Sequence, residues 1–308
     1  MKIVERRGPV YVVDRSIEGS EKLLGSFIVT APNGDSAIID PGPSRDVPKL
    51  LALMEEEGLD PLRLKAIIVT HIHLDHGGGA GLLHLNAPWS KVYVHPRGAP
   101  HLVSPGKLWE ASRATLGRTA ELYGEPEPLP EDAVVPVADG SILELRGLRL
   151  RFIHTPGHAS HHMSILLEQG SVMFTGDSAG MHLCGRLYPT TPFPFKLHEA
   201  LDSLDKMLGY NPSLVAYTHF GIREGAPSLL KQYKELLKDL ASRINELLER
   251  GLRGRSLIEE LRRVDPYLES YEECLRELRA DYMLNHADLS VDGIARYIEK
   301  FGLSLVGV

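Results

Sequence analysis

Four apolar runs in this chain end on a side chain able to hold a metal ion: AIIVT leads into His71, RFIHTPG into His158, VMFTG into Asp177 and LVAYT into His219. The runs are short, rich in β-branched residues and bounded by Gly or Pro, which reads as strands. Their ends, spread over about 150 residues of sequence, can gather at one edge of a strand-layered protein. Taken singly, His158, Asp177 or His219 is more simply a hydrogen-bonded turn residue. Taken together they predict a site.

The alternation of strands, turns and helices extends from residue 9 to about 220: VYVVD, SFIVTAP and SAIIDPGP precede a helical segment near 46–57, and VYVHP, LRLRFIHTP and SILLE continue the pattern. Sheets covered by helices are expected. After Pro227 the strand signals stop, and Leu229, Leu230, Tyr233, Leu236, Leu237 and Leu240 recur at three- and four-residue spacing. This predicts amphipathic helices whose stripe is a core or an oligomer face. The expected division is a catalytic domain over 1–226 and an all-helical extension over 227–308. Ser256 and Glu259 read as a capping box, Asp265-Pro266 as an N-cap followed by a first-position proline, and Gly302 as the stop of the last helix.

Charge narrows the function classes. Thirty-four Lys and Arg against 41 Asp and Glu give a net charge of -7, with no long single-sign run, so a general grip on nucleic acid or anionic lipid is not expected. No apolar stretch approaches the ~18 residues of a membrane span, and the start lacks a signal-peptide core, so a cytoplasmic protein is expected. Two cysteines, Cys184 and Cys274, are too few for a disulfide framework and are expected to be buried free thiols. Asn and Gln are scarce, a bias shared with thermophilic proteins.

The densest chemistry lies in His71-Ile-His73-Leu-Asp75-His76, directly before three glycines. In extended backbone leaving a strand, His71 and His73 project to the same side, while Asp75 and His76 follow as the chain turns into a helix. With His158, Asp177 and His219 the donors are too many for one tetrahedral ion and suit two. The economical assignment places His71, His73 and His158 on one metal, Asp75, His76 and His219 on the other, and Asp177 between them. Zinc is the first choice for these nitrogen and carboxylate donors, with iron or manganese as alternatives. Hydroxide held between two cations is a nucleophile near neutral pH, so the reaction class is hydrolysis. Asp75 is a candidate proton acceptor.

Lesser candidates surround these. Asp40 either orients a ligand imidazole or caps a turn. His161 or His162 is a candidate to meet substrate, and His154 to hydrogen-bond locally. In YPTTPFPF, Tyr188, Phe193 and Phe195 read as an apolar wall, with the Tyr188 hydroxyl a possible donor to a developing oxyanion. His84, His95, His101, His182, His198 and His286 have no spacing that marks them as ligands.

At these residues the chain resembles the metallo-β-lactamase superfamily: the His71-x-His73-x-Asp75-His76 signature, then His158, Asp177 and His219, match in type and order over about residues 9–221. The resemblance implies an α/β fold, a four-layer αββα sandwich with two metals at one edge of the stacked sheets. THIHLDHGGGAG, HTPGHASHHMS, FTGDSAG and THFG look like a subfamily of archaeal and bacterial hydrolases. The HTPGH segment and helical extension are similar to glyoxalase II, a thioesterase. Asp177 stands where zinc β-lactamases carry a cysteine on the second metal, which speaks against antibiotic degradation. The resulting expectation is hydrolysis of a thioester, lactone or phosphoester in a small molecule. An iron-dependent sulfur dioxygenase on the same scaffold is one alternative, and a nucleic-acid or partner-binding module is another. A homodimer is expected.

Overall fold

Seven strands pair in chain order into one sheet: β1 Lys2–Arg7, β2 Val10–Asp14, β3 Gly25–Thr30, β4 Ser36–Ile39, β5 Leu64–Ile68, β6 Lys91–Val94 and β7 Val134–Pro136. This is a computed structural model, and it describes residues 1–303. Pairing is antiparallel from β1 to β4 and parallel from β4 to β7. Successive side chains of the central strands take opposite faces: Val12, Phe27, Ile39 and Ile68 enter the core between the two sheets. Val13, Ile28, Ile38 and Ile67 enter a second core, which includes residues of α1 Val47–Glu56. Burial on both faces explains why these strands read as unbroken apolar runs. The connections beyond β5 carry α2 Leu74–Gly77, α3 Ala80–Asn86, α4 Ala99–Val103, α5 Gly106–Leu116 and α6 Arg118–Tyr123.

The second sheet contains β8 Ile142–Leu145, β9 Leu148–His154, β10 Met163–Leu167 and β11 Val172–Gly176. A separate hairpin, β12 Met181–Leu183 and β13 Arg186–Tyr188, and helix α7 Leu197–Gly209 follow before β14 Leu214–Tyr217 and β15 Gly221–Glu224 complete that sheet. β11 and β14 are parallel, so their carboxyl ends share one edge. The result is the expected α/β sandwich with a helical C-terminal region.

That region comprises α8 Ala226–Glu249, α9 Gly254–Val264, α10 Tyr267–Glu277 and α11 His286–Phe301. Leu230, Tyr233, Leu237, Leu240 and Ile244 of α8 are buried in the same apolar cluster as Phe152, Ile165 and Phe174 of the second sheet. The leucine stripe is core. Gly302, at a positive φ of 69°, ends α11 as expected, and the Asp265 carboxylate accepts from the Tyr267 N–H at the start of α10. The Ser256–Glu259 box is corrected: α9 begins at Gly254, and the Ser256 hydroxyl accepts from the Arg253 N–H while Glu259 pairs with Arg255.

Gly293 shows how closely this region docks. A Cβ there would lie 1.8 Å from the Thr191 carbonyl oxygen, so α11 meets the 191–193 segment backbone to backbone. Alanine is intrinsically the better helix former by about 1 kcal/mol, but overpacking against rigid backbone costs ~1–3 kcal/mol or more. Gly293→Ala should therefore lower the melting temperature. An increase, the outcome of propensity alone, would mean that α11 does not sit on this segment.

The cysteines depart from expectation. Cys184, exposed at the turn of the β12–β13 hairpin, is disulfide-bonded to the buried Cys274 of α10, with Cα atoms 5.9 Å apart. They are not free thiols, because folding brings together two residues 90 positions apart that nothing in the sequence pairs. A cross-link of that span contributes roughly 2–5 kcal/mol by restricting the unfolded chain. Reduction should lower Tm by several degrees, at ~2–4 °C per kcal/mol for a chain of this size. Superimposable melting curves with and without reductant would refute the bridge.

Candidate active site

Each carboxyl strand end delivers one part of the site. β4 runs into Asp40, β5 into Thr70 and His71, β11 into Asp177 and β14 into His219, while the β9–β10 loop supplies His158. His73 precedes α2, whose first turn carries Asp75 and His76. Gly176, at a positive φ of 48°, lets β11 pass close behind: a Cβ there would lie 2.6 Å from Thr70 Oγ1 and 2.7 Å from His162 Nε2.

The structure brings the seven predicted ligands together. His73 Nδ1 lies 2.9 Å from His71 Nε2 and 3.1 Å from His158 Nε2. In a second group, Asp75 Oδ2 lies 3.5 Å from His219 Nε2 and 3.8 Å from His76 Nε2. Asp177 stands between them, with Oδ2 3.6 Å from His158 Nε2 and Oδ1 3.2 Å from His76 Nε2.

The far side of each ring fixes which nitrogen is bare. His158 Nδ1 donates to the Thr190 carbonyl at 2.7 Å and His219 Nδ1 to the Leu23 carbonyl at 2.9 Å, since a carbonyl can only accept. His76 Nδ1 donates to Asp40 Oδ2 at 2.8 Å. The Thr70 hydroxyl gives its proton to Asp40, so His71 Nδ1, 3.1 Å away, donates to the hydroxyl oxygen. In their neutral form these four rings therefore turn the Nε2 lone pair toward the site. Asp40 is the hub: it also accepts from the Thr70 N–H and the Thr218 hydroxyl, and so orients two rings.

The electrostatics suit cations. Burial pushes His71 and His158 below the usual imidazole value, and burial with neighbouring histidines pushes His73 down to about 3, so these rings are neutral. Burial works against the ionised forms of Asp75 and Asp177, yet His76 and its neighbours hold both below the ordinary carboxylate range. Burial would likewise lower His76, but Asp177, Asp75 and Asp40 raise it well above its usual value, so negative potential concentrates there.

A metal pair fits this donor set. Two atoms bound ~2.0–2.1 Å from one tetrahedral ion lie about 3.3 Å apart, and the distances within the groups scatter around that value. His76 Nε2 and Asp177 Oδ1 are buried 3.2 Å from each other, and neither has a hydrogen bond to any other group among the described residues. A shared cation would relieve both.

The substrate-contact candidates fare less evenly. Phe193 lines the pocket in front of the ligands, whereas Phe195 is buried in the core and away from it. Tyr188 is also core: its hydroxyl donates to the Ser270 carbonyl at 3.1 Å and its ring packs on Tyr271, so it reaches no oxyanion. The hairpin turns that side chain toward α10, which sequence spacing did not reveal. His162 is fully buried behind the site, not in contact with substrate space; its Nε2 accepts from the Asp177 N–H at 3.1 Å, which positions the carboxylate. His154 bonds locally to the Val137 carbonyl, as expected. Sequence reasoning missed Tyr123 of α6, Thr190, and Met283, His286 and Ser290 from the helical region, all of which line the pocket.

Together the strand order, the paired sheets and this ligand edge define a metallo-beta-lactamase fold, and residues 25–219 match the metallo-beta-lactamase superfamily, to which the chain belongs. The metallo-beta-lactamase fold-containing protein ST1585 of Sulfurisphaera tokodaii is 35% identical over 188 residues, 59% of this chain and 70% of that protein. Its crystal structure superposes with a TM-score of 0.65 at 28% identity, covering 89% of this chain and 99% of that one. A hydroxyacylglutathione hydrolase of Cupriavidus taiwanensis is 36% identical over 56% of this chain and 53% of its own length. The atrochrysone carboxyl ACP thioesterase of Pseudocercospora fijiensis is 26% identical over 83% of this chain and 69% of its own. Among the described residues no helix is long and apolar enough to cross a membrane.

Proposed function

We propose that this protein is a dinuclear metal-dependent hydrolase of an uncharged ester-like bond, a thioester, ester or lactone, carrying a compact apolar acyl group. The observation that carries this reading is the pocket of about 260 Å3 in front of both ligand groups, walled by Leu74, Leu108, Leu116, Met181 and Leu289. Among its described lining residues there is neither Lys nor Arg. Glutathione carboxylates or a remote phosphate would be desolvated there without a cationic partner; an apolar acyl chain would not. The names of the hydroxyacylglutathione hydrolase and the ACP thioesterase point to the same bond type. The sharing of Asp177 by two groups favours hydrolysis over a single-iron oxygenase.

His71, His73 and His158 would hold one ion, and Asp75, His76 and His219 the other, with Asp177 between. Two bound divalent cations, zinc in the first instance and iron or manganese otherwise, supply a hydroxide nucleophile at neutral pH and polarise the acyl oxygen. Asp40 holds the His76 and His71 rings in the tautomer that leaves Nε2 bare. Asp75, ionised and lining the pocket, is placed to receive a proton during turnover. The test is a panel of p-nitrophenyl esters, acyl thioesters and lactones of graded chain length, with phosphoesters and glutathione thioesters alongside, run on zinc-, iron- and manganese-loaded protein. The reading expects kcat/KM to be highest for uncharged acyl substrates; turnover of the anionic members alone would contradict it.

A further inference from the structure

The exposure of its lining residues gives the pocket a direction. His158, Asp177 and His219 lie buried at the deep end with Met181 and Met283, while Ala111 and Thr115 of α5 and Phe193, 62% exposed, mark the open end. Helix α5 forms one wall. Leu108, Ala111, Ser112, Thr115 and Leu116 all line the pocket and recur at three- and four-residue spacing, so they share one face of the helix. Lys107, Glu110, Arg113 and Ala114 fall outside the lining. Leu108 and Leu116 pack partly on the apolar cluster around Leu74 and Tyr123. Between them the helix turns Ala111, Ser112 and Thr115 to the pocket, and no residue of α5 is buried. An amphipathic helix ordinarily covers its less polar face with protein; here that face is left to whatever enters the cavity above the ligand groups.

We propose that this face of α5 is the acyl subsite of the enzyme, with the substrate's apolar chain lying along it from the ligand groups to the mouth and Ala111 setting the length of chain accepted. The assignment rests on the hydrolase reading above. A carbonyl held at the ligand groups sits at the deep end, so the chain attached to it runs outward past α5 toward Phe193. Esters, thioesters and lactones share the acyl arm and differ in the leaving group, and a described lining without Lys or Arg suits the arm that carries no charge. Each methylene laid on the wall leaves water and contributes about two- to fourfold to kcat/KM. Ala111 stands on the middle turn of the face and is exposed, so a larger side chain there occupies the path of the chain.

The test compares Ala111→Phe with Ala114→Phe, the same change at an exposed alanine of the same helix that does not line the pocket. On zinc-loaded wild-type protein, kcat/KM for p-nitrophenyl esters should rise from acetyl through butyryl and hexanoyl to octanoyl. In Ala111→Phe the octanoyl-to-butyryl ratio should fall by about 10-fold or more as methylenes lose the wall, with metal content and melting temperature retained; Ala114→Phe should keep the wild-type ratio. An unchanged ratio in Ala111→Phe, or an equal fall in Ala114→Phe, would overturn the assignment. So would a profile that follows the alcohol chain of alkyl acetates and ignores the acyl chain. Independently of turnover, calorimetry should find octanoate bound about 10-fold more tightly by zinc-loaded wild-type protein than by Ala111→Phe. If the wild type turns over no ester, thioester or lactone, the hydrolase reading fails; the chain subsite on α5 then stands if octanoate discriminates between the two proteins and falls if it binds them alike.

Discussion

Asp177→Ala is expected to lose both ions and to reduce kcat/KM by roughly 10³-fold or more, equivalent to several kcal/mol of transition-state stabilisation. The reason is positional: one carboxylate oxygen faces His158 and the other faces His76 and His219, so a single truncation strips a donor from both groups. The backbone there should survive, because the Asp177 N–H donates to His162 and its carbonyl accepts from the Thr190 hydroxyl, neither of which involves the side chain. Elemental analysis and steady-state kinetics on the folded variant check this. Retention of both equivalents would show that Asp177 is not shared. Asp177→Asn, which keeps the shape and removes the charge, should fall between the two.

Asp40→Ala should produce the second-largest effect without touching a metal. Asp40 accepts from the Thr70 N–H, the Thr70 and Thr218 hydroxyls and His76 Nδ1, so its loss frees the His76 ring and breaks the relay through Thr70 to His71. Removing a group that orients a metal-binding histidine typically costs 10–100-fold in metal affinity. Leaving buried donors unpaired adds about 1–3 kcal/mol of lost stability for each one that water cannot reach. A competitive chelator titration and a melting curve measure the two effects. Wild-type affinity in a destabilised Asp40→Ala variant would reduce Asp40 to a structural turn residue.

Much of this was legible in the sequence because two-sided burial writes itself as apolar runs. VYVVD, SAIIDPGP, AIIVT, VMFTG and LVAYT correspond to β2, β4, β5, β11 and β14, and the last four of these strands end at the residues of the site. The outer strand β1, KIVERR, is only partly covered and mixes charge into its pattern, so it left no comparable signal. The pocket wall was less legible for a different reason. Tyr188 and Phe193 lie within one proline-rich stretch, yet Tyr188, at the end of the hairpin, packs on α10 in the core while Phe193, beyond it on a segment against α11, lines the pocket. His286 carried no spacing signal at all, since its place is fixed by tertiary docking of the helical region. The Cys184–Cys274 bridge is of the same kind: nothing local announces a contact between a hairpin turn and a helix 90 residues on.

The proposed function requires that the seven residues His71, His73, Asp75, His76, His158, Asp177 and His219 form one site for two metal ions. Metal content per chain, measured by elemental analysis after reconstitution and followed by stepwise titration of activity, tests it most directly. Two equivalents per chain, with hydrolysis of the best uncharged ester reaching its plateau only as the second is bound, is the predicted result. A reproducible single equivalent that excess zinc, iron or manganese does not raise, with full activity already present, would contradict it.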